Sequence, residues 1–150
     1  GKNAMSYQIA RKLEFDAAHR VMHHESKCAT MHGHRYTVWV FAEAEVLDSI
    51  GRVIDFSVLK ERIGGWLDDH WDHNTIVCIS DVITLRALLT LPRKKEPFAL
   101  PTNPTAENMA AYLVNVVCPI LMQDTGIRIV KVRVDETPNC YAEVERDRAF

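Results

Sequence analysis

The sequence predicts an α+β fold in which one antiparallel sheet of four strands is covered on one face by two helices. Two runs near the start of the chain and two near its end alternate apolar and polar residues with the period of a strand. Between them, two longer segments repeat apolar residues at helical spacing. The order β-β-α-α-β-β favours one helical layer on one sheet, and the length of 150 residues fits a single domain.

The first two strands are predicted over Tyr7 to His19 and over His34 to Val46. In each strand one parity is mostly apolar and the other mostly polar or charged. His19 ends the first strand with the apolar parity, and His32 and His34 have the apolar parity of the second. If these strands pair as neighbours, the three imidazoles meet on one side of the sheet.

Both long helices have a capping residue at their predicted start. Asp55 and Thr105 can each accept a hydrogen bond from an early amide of the helix that follows, and Gly126 is predicted to end the second helix. The connector between the helices, from Ile76 to Thr102, is rich in proline and is predicted to be mostly irregular. The apolar residues between Val82 and Leu88 could form a short helix within it.

The last two strands are predicted over Ile127 to Val134 and Cys140 to Glu145, with a turn at Thr137-Pro138-Asn139. Glu136 continues the apolar parity of Val130, Val132 and Val134. Its carboxylate is therefore expected on the buried side, where an unpaired charge needs a hydrogen-bond donor.

Composition argues against several classes of protein. A formal charge of -2 gives no electrostatic case for binding nucleic acid or an anionic membrane. The start of the chain lacks the apolar core of a signal peptide, and the longest apolar run is too short to span a bilayer. The four cysteines form no C-x-x-C pair and are interpreted as thiols. We therefore expect a soluble, cytoplasmic protein.

The three clustered histidines indicate a metal site. Zinc prefers four tetrahedral ligands, so three imidazoles leave one position for water or substrate, as in catalytic zinc sites. One alternative is that the H-x-H pattern is accidental in a chain with seven histidines. Another is a closed structural zinc site in which Cys28, His23 or His24 supplies the fourth ligand, which would leave no place for chemistry.

Six short motifs occur in order along the chain. They are F-D-A-A-H at Phe15 to His19, C-x-x-x-H-G-H at Cys28 to His34, V-I-D-F-x-x-L-K at Val53 to Lys60, W-D-H-N at Trp71 to Asn74, N-P-T-A-E-N at Asn103 to Asn108 and V-D-E-T at Val134 to Thr137. The series resembles the family of 6-pyruvoyltetrahydropterin and 6-carboxytetrahydropterin synthases. The spacing from Cys28 to H-G-H is most similar to the bacterial carboxy-forming branch, which serves queuosine biosynthesis, and the connector is longer than in compact members.

The resemblance implies the tunnelling fold, in which the sheets of several subunits join into a barrel and two trimers stack as a hexamer. It also implies Zn2+ held by His19, His32 and His34. The implied substrate is 7,8-dihydroneopterin triphosphate, and the implied products are 6-carboxy-5,6,7,8-tetrahydropterin, acetaldehyde and triphosphate.

The resemblance further assigns roles to individual residues. Cys28 would be the general base, and Asp72 with His73 would complete the proton-transfer group. Glu136 would bind the amino group and ring N-H of the pterin as a bidentate carboxylate. Thr137 and Glu107 are further candidate substrate contacts.

Two rival functions stay open from the sequence. The pyruvoyl-forming synthases share all the principal site residues and differ in their product. A non-catalytic module that binds pterins or purines would keep the fold with a closed zinc site, in which Cys28 is a ligand.

Overall fold

The computed structural model describes residues 6–147 and contains one sheet of six strands. The strands are β1 (Tyr7–His19), β2 (His32–Ala44), β3 (Asn74–Cys78), β4 (Phe98–Leu100), β5 (Arg128–Thr137) and β6 (Cys140–Glu145). Their order across the sheet is β4-β3-β1-β2-β5-β6. The four predicted strands form its antiparallel part, and β3 and β4 extend it in parallel beside β1.

The sheet therefore differs from the expected one, which was four-stranded and wholly antiparallel. Both additional strands are short and lie in or beside the connector, where the prolines obscure the period of a strand. β3 pairs with β1 only over Ala17–His19. As a result, the outer edge of β1 before Ala17 has no neighbouring strand among the described residues.

Two long helices cover one face of the sheet, as predicted. The first consists of Phe56–Leu59, Lys60–Gly64 and Gly65–His70, and the second of Ala106–Tyr112, Leu113–Val117 and Cys118–Leu121, each with a π-helical middle segment. The predicted caps form, since Asp55 accepts from the Ser57 amide and Thr105 from the Asn108 amide. The connector contains the short helix Val82–Leu89, and Gly126 has a φ of +73° after the second helix.

The core lies between these helices and the apolar parity of the central strands. Tyr36, Val38 and Val40 of β2 are completely buried there, as are Ile63 and Leu113 of the two long helices. We call this side of the sheet the helix-covered face and the other side the open face. No helix within residues 6–147 is both long and apolar enough to cross a membrane.

Two β-bulges interrupt the pairing of β5. The register with β2 shifts so that Phe41 faces Lys131 and Ala42 faces Ile129, which makes Val130 the extra residue. Ile129 is buried and Val130 is not, so the expectation that Val130 shares the buried parity was wrong. The register with β6 shifts between Asp135 and Thr137, which leaves Glu136 without a cross-strand partner on β6.

Candidate metal centre and active site

The strand ladder brings the three histidines together. His19 pairs directly with His32 in the register of β1 and β2, and His34 follows on the same face. One ring nitrogen from each of the three lies within 4.8 Å of the others. These residues could hold a metal ion, and the two paired strands bring their side chains to one face of the sheet.

Backbone carbonyls fix two of these rings. His19 Nδ1 lies 2.7 Å from the Pro104 oxygen, and His32 Nδ1 lies 2.7 Å from the Thr30 oxygen. A carbonyl can only accept, so each Nδ1 carries the proton and each Nε2 presents a lone pair. The two Nε2 atoms are only 3.2 Å apart. Two lone pairs at this distance repel each other, and a shared cation removes the repulsion.

Burial favours the neutral form of His19 and His34. His19 is 1% exposed, and burial lowers the pKa of both His19 and His34 below the usual histidine value. Neutral imidazole is the form that binds metals. The buried Nε2 of His34 has no hydrogen-bond partner within the described chain. Such a nitrogen would be costly without a ligand, so the donor set fits a metal ion that accepts three nitrogen ligands.

Glu136 lies beside the histidines. Its Oε1 is 3.3 Å from Nε2 of His19 and 3.3 Å from Nε2 of His34. The side chain is 29% exposed, so the carboxylate stands at the entrance of the cluster. The expectation that Glu136 points to the buried side agrees with this position.

Tyr36 completes the wall of the cluster. Its ring centroid lies 5.5 Å from that of His34 and 6.0 Å from that of His19. Burial raises the pKa of the Tyr36 phenol, and the charge of Glu136 raises it further. The hydroxyl therefore keeps its proton and is available only as a neutral donor or acceptor.

Cys28 lies in a short helical turn, Lys27–Ala29, between β1 and β2. Its carbonyl accepts a hydrogen bond from the Val21 amide at 3.2 Å. It is a free, partly buried cysteine, and its thiol makes no hydrogen bond within residues 6–147. The group of potential metal ligands in that range contains neither Cys28 nor His23 or His24. A metal ion with four tetrahedral ligands would therefore have one further position beyond these three histidines.

Asp72 and His73 form the predicted pair. His73 Nδ1 lies 2.8 Å from Asp72 Oδ2, and the other carboxylate oxygen accepts from the Asp16 amide at 2.9 Å. Burial alone raises the pKa of Asp72, but these hydrogen bonds and the charge of Lys95 outweigh it and lower the pKa. The carboxylate is therefore ionised and orients the imidazole through Nδ1.

This pair lies at a cleft on the open face, and the lining of that cleft also includes His34 of the cluster. His73 lines a cleft of about 920 Å³, which we call the open-face cleft. Its other lining residues include Asp16, Gly33, Arg35 and Lys94. No hydrogen bond within the described chain joins Cys28 to Asp72 or His73. A single chain therefore forms the Asp72–His73 pair but does not link this pair to the Cys28 thiol by a hydrogen bond.

The two remaining candidates are not at the cluster. Glu107 is exposed in the first turn of the second long helix and forms no ion pair within residues 6–147. Thr137 Oγ1 accepts from the Asn139 amide at 3.1 Å and lines a groove on the open face. Their roles as substrate contacts stay predictions.

Sequence reasoning missed the support of the cluster by the N-P-T-A-E-N motif. The Asn103 side chain binds the Met22 backbone through both its amide and its carbonyl, each at 3.0 Å. The Pro104 carbonyl holds His19, and Asn108 donates to the Asn103 carbonyl at 3.0 Å. The motif itself was the signal available in the sequence. The contact with His19 could not be predicted from it, because the acceptor is a backbone carbonyl, which every type of residue has.

Comparison with known proteins agrees with this geometry. A family model described as 6-pyruvoyl tetrahydropterin synthase matches residues 8–147. The chain belongs to this family. The 6-carboxy-5,6,7,8-tetrahydropterin synthase of Rickettsia bellii is 37% identical over 137 residues, which cover 91% of this chain and 99% of that protein. The protein of the same name from Haemophilus influenzae is 30% identical over 147 residues, which cover 93% and 99%.

Solved structures confirm the expected tunnelling fold of the 6-pyruvoyl tetrahydropterin synthase family. An uncharacterized protein from Wolinella succinogenes superposes with a TM-score of 0.79 at 25% identity, covering 94% of this chain and 98% of that chain. The 6-pyruvoyl tetrahydropterin synthase of Caenorhabditis elegans superposes with a TM-score of 0.66 at 24% identity, covering 94% and 96%. The second likeness carries the fold alone.

Proposed function

We propose that this protein is a zinc-dependent lyase acting in the cytoplasm on 7,8-dihydroneopterin triphosphate. The products would be 6-carboxy-5,6,7,8-tetrahydropterin, acetaldehyde and triphosphate, which places the reaction in queuosine and 7-deazaguanine biosynthesis. The observation that carries the proposal is the convergence of three imidazoles, with one ring nitrogen of each within 4.8 Å of the others. Three such ligands would leave a tetrahedral zinc ion one further position. The name shared by the curated relatives supports the choice of product.

His19, His32 and His34 would hold the zinc. When bound, it would act as a Lewis acid on the side-chain oxygens of the pterin and acidify the neighbouring carbon-bound proton. Cys28 would remove that proton as general base. Cys28 is partly buried in a turn beside the strand ends, and its thiol makes no hydrogen bond within residues 6–147. The thiol would therefore be free to approach a substrate.

Asp72 and His73 would carry the proton onward. The ionised Asp72 holds the proton of His73 on Nδ1, which leaves Nε2 as the atom that accepts or delivers a proton. The His73 side chain is 76% exposed, so the ring can meet a group that comes from outside its own chain.

Glu136 would orient the pterin ring. A carboxylate binds the flat edge formed by an amino group and a ring N-H through two parallel hydrogen bonds. Its distance of 3.3 Å from two of the imidazoles would bring the ring's side chain next to the metal. A neutral residue of the same shape would keep the fold but lose this charge-assisted pairing.

We further propose a homo-oligomer, a hexamer built as a dimer of trimers. The long outer edge of β1 before Ala17 lacks a partner strand within residues 6–147, and an exposed edge of this length calls for pairing with another chain. Such an assembly would also give the open-face pair a route to a Cys28 that its own chain does not connect to it.

The pyruvoyl-forming reaction is the second candidate. It is favoured by the description of the family model that matches residues 8–147. Both reactions use the same proposed zinc, base and pterin anchor, so the residues of the site do not separate them. The identity of the product does.

The decisive experiment is to incubate the zinc-loaded protein with 7,8-dihydroneopterin triphosphate and identify the products by mass spectrometry. We expect 6-carboxytetrahydropterin and acetaldehyde, and a pyruvoyl product would move the assignment to the other synthase. Cys28→Ala should abolish turnover while retaining zinc, because the thiol is a base and not a ligand. Cys140→Ala, at an exposed cysteine, is the matched control and should be fully active.

The same variants test the binding-module alternative. If Cys28 closes the zinc site, Cys28→Ala will lose zinc together with any activity. Full zinc occupancy without turnover in the native protein would contradict both synthase reactions for this substrate and favour a non-catalytic module that binds pterins or purines.

A further inference from the structure

Tyr36 carries a hydroxyl that the folded chain does not use. The residue follows His34 by one intervening position on β2 and is 0% exposed. Its ring stacks on Phe15 with centroids 5.0 Å apart and an interplanar angle of 12°. The hydroxyl, in contrast, has no hydrogen-bond partner in the part of the chain that the structure describes.

An unpaired buried hydroxyl is unfavourable for stability. Folding strips it of water, and nothing in the protein replaces the lost hydrogen bonds. Phenylalanine would fill the same space and keep the stacking on Phe15 without this penalty. A tyrosine at this position is therefore poorly explained by packing, and a partner from outside the chain would explain it.

The surroundings of the hydroxyl indicate which partner this is. The Tyr36 ring is perpendicular to those of His34 and His19, at interplanar angles of 78° and 88°. The charge of Glu136 acts on the phenol as it acts on both histidines. The buried Nε2 of His34 lies 3.3 Å from Glu136 Oε1 and has no hydrogen-bond partner within the described chain. The same site therefore holds an acceptor without a donor, the lone pair of His34 Nε2, and a donor without an acceptor, the O-H of Tyr36.

Two other buried nitrogens without partners, in Trp71 and Arg146, have different surroundings. The Trp71 indole packs among aromatic rings, with centroids 5.2 Å from Trp66 and 6.5 Å from Tyr112. Ring faces are weak acceptors for an N-H group. Arg146 follows the end of β6. Among the buried atoms of residues 6–147 that lack a partner, only His34 Nε2 and the Tyr36 hydroxyl belong to side chains of the histidine cluster and its wall.

We propose that the Tyr36 hydroxyl donates a hydrogen bond to an oxygen atom of the molecule bound at the three-histidine centre. The molecules selected in this way carry two adjacent oxygens, as diols, hydroxyketones and hydroxamates do. One oxygen is satisfied by the cation and the other by the phenol. The inference rests on the proposed metal site but not on the proposed pterin substrate.

The test compares Tyr36→Phe with Tyr112→Phe, a half-buried phenol of the aromatic cluster. The probe is acetohydroxamate, a small chelator with two oxygens, titrated into zinc-loaded protein by calorimetry. Loss of a hydrogen bond to a charged oxygen should weaken acetohydroxamate binding about tenfold or more in Tyr36→Phe. Tyr112→Phe should bind the probe like the native protein. Zinc affinity, measured by competition with a chelating dye, should be unchanged in both.

Thermal unfolding of the zinc-free proteins supplies an independent readout. Tyr36→Phe should melt at the same temperature as the native protein or higher, because the variant removes an unpaired buried group. A lower melting temperature would mean that the hydroxyl has a partner inside the protein, and this would overturn the proposal. So would native-like acetohydroxamate binding by Tyr36→Phe.

If Tyr36→Phe fails to fold, the native side chain can report directly. Protein with 3-fluorotyrosine at position 36 should show a shifted fluorine resonance when acetohydroxamate is added to the zinc-loaded form. An unmoved resonance would overturn the proposal. A protein that binds no zinc at all would instead refute the metal site itself, so the two failures are distinguishable.

Discussion

The two functional histidine arrangements of this protein are built in opposite ways. The cluster of His19, His32 and His34 is set by paired strands, and two of its rings are locked by backbone carbonyls. The Asp72–His73 pair is held at a tight turn, where His73 has a positive φ of 54° and a side chain 76% exposed to solvent. The first is therefore preorganised within one chain, and the second is presented outward.

This difference teaches which functions a single subunit can supply. A buried ligand set held by the sheet can bind its ion before any other partner arrives. An exposed imidazole oriented by one carboxylate becomes useful only when another group reaches it. Metal binding should thus survive changes that abolish the proposed proton relay.

The largest effect is expected from His34→Gln. The amide cannot replace the Nε2 lone pair in the same place, so zinc affinity should fall about a hundredfold or more. Zinc content after competition with a chelating dye measures this loss. His23→Asn, at an exposed histidine with a positive φ of 63°, is the control and should bind zinc normally. Native affinity in His34→Gln would show that the cluster is not the metal site.

A smaller effect is expected from Asn103→Ala, which removes two hydrogen bonds to Met22. Zinc affinity should fall about tenfold, because the adjacent Pro104 carbonyl would no longer hold His19 firmly. The free energy of unfolding should fall by about 2 kcal/mol. Chemical denaturation and dye competition measure the two effects, and Asn139→Ala in an exposed turn is the control. An unchanged zinc affinity would show that the strands alone suffice.

The smallest effect is expected from Asp72→Asn and appears as a dependence on pH. Because the pKa of Asp72 is lowered in the folded state, the ionised group stabilises the fold above the unfolded pKa of about 4. This stabilisation is lost as the pH falls through the folded pKa.

The free energy of unfolding should therefore differ most between the native protein and Asp72→Asn near neutral pH, and the difference should shrink below about pH 4. Urea denaturation at a series of pH values measures it. Zinc affinity should not change, because neither Asp72 nor His73 belongs to the group of clustered ligands. A stability difference that is constant with pH would mean that the carboxylate is not the source of the effect.

Much of the fold and of the cluster follows from local patterns. The parity of His19, His32 and His34 predicted their shared face, and Asp55 and Thr105 marked the starts of the long helices. These features depend on alternation and capping, which act over a few residues and are therefore readable in sequence.

Other features depend on partners that are distant in the chain. β3 forms because it pairs with β1, and β4 because it pairs with β3. The residues of these two strands show little strand period of their own. The bulge at Val130 reverses a parity that looked regular in the sequence. The distance between the Asp72–His73 pair and Cys28 also depends on which face of the sheet each of these groups lies on. The W-D-H-N motif does not encode that face.

The bulge at Glu136 bears on how a glutamate could be gained or lost at this position of the sequence. The ladder pairs Asp135 with Tyr141 and then Thr137 with Cys140, so the hairpin is one residue longer than its pairing needs. Glu136 can therefore be regarded as an insertion that the sheet tolerates. A deletion of this single residue would leave the ladder continuous while removing the carboxylate from the cluster. In this hairpin, the number of residues carries functional information as much as their identity does.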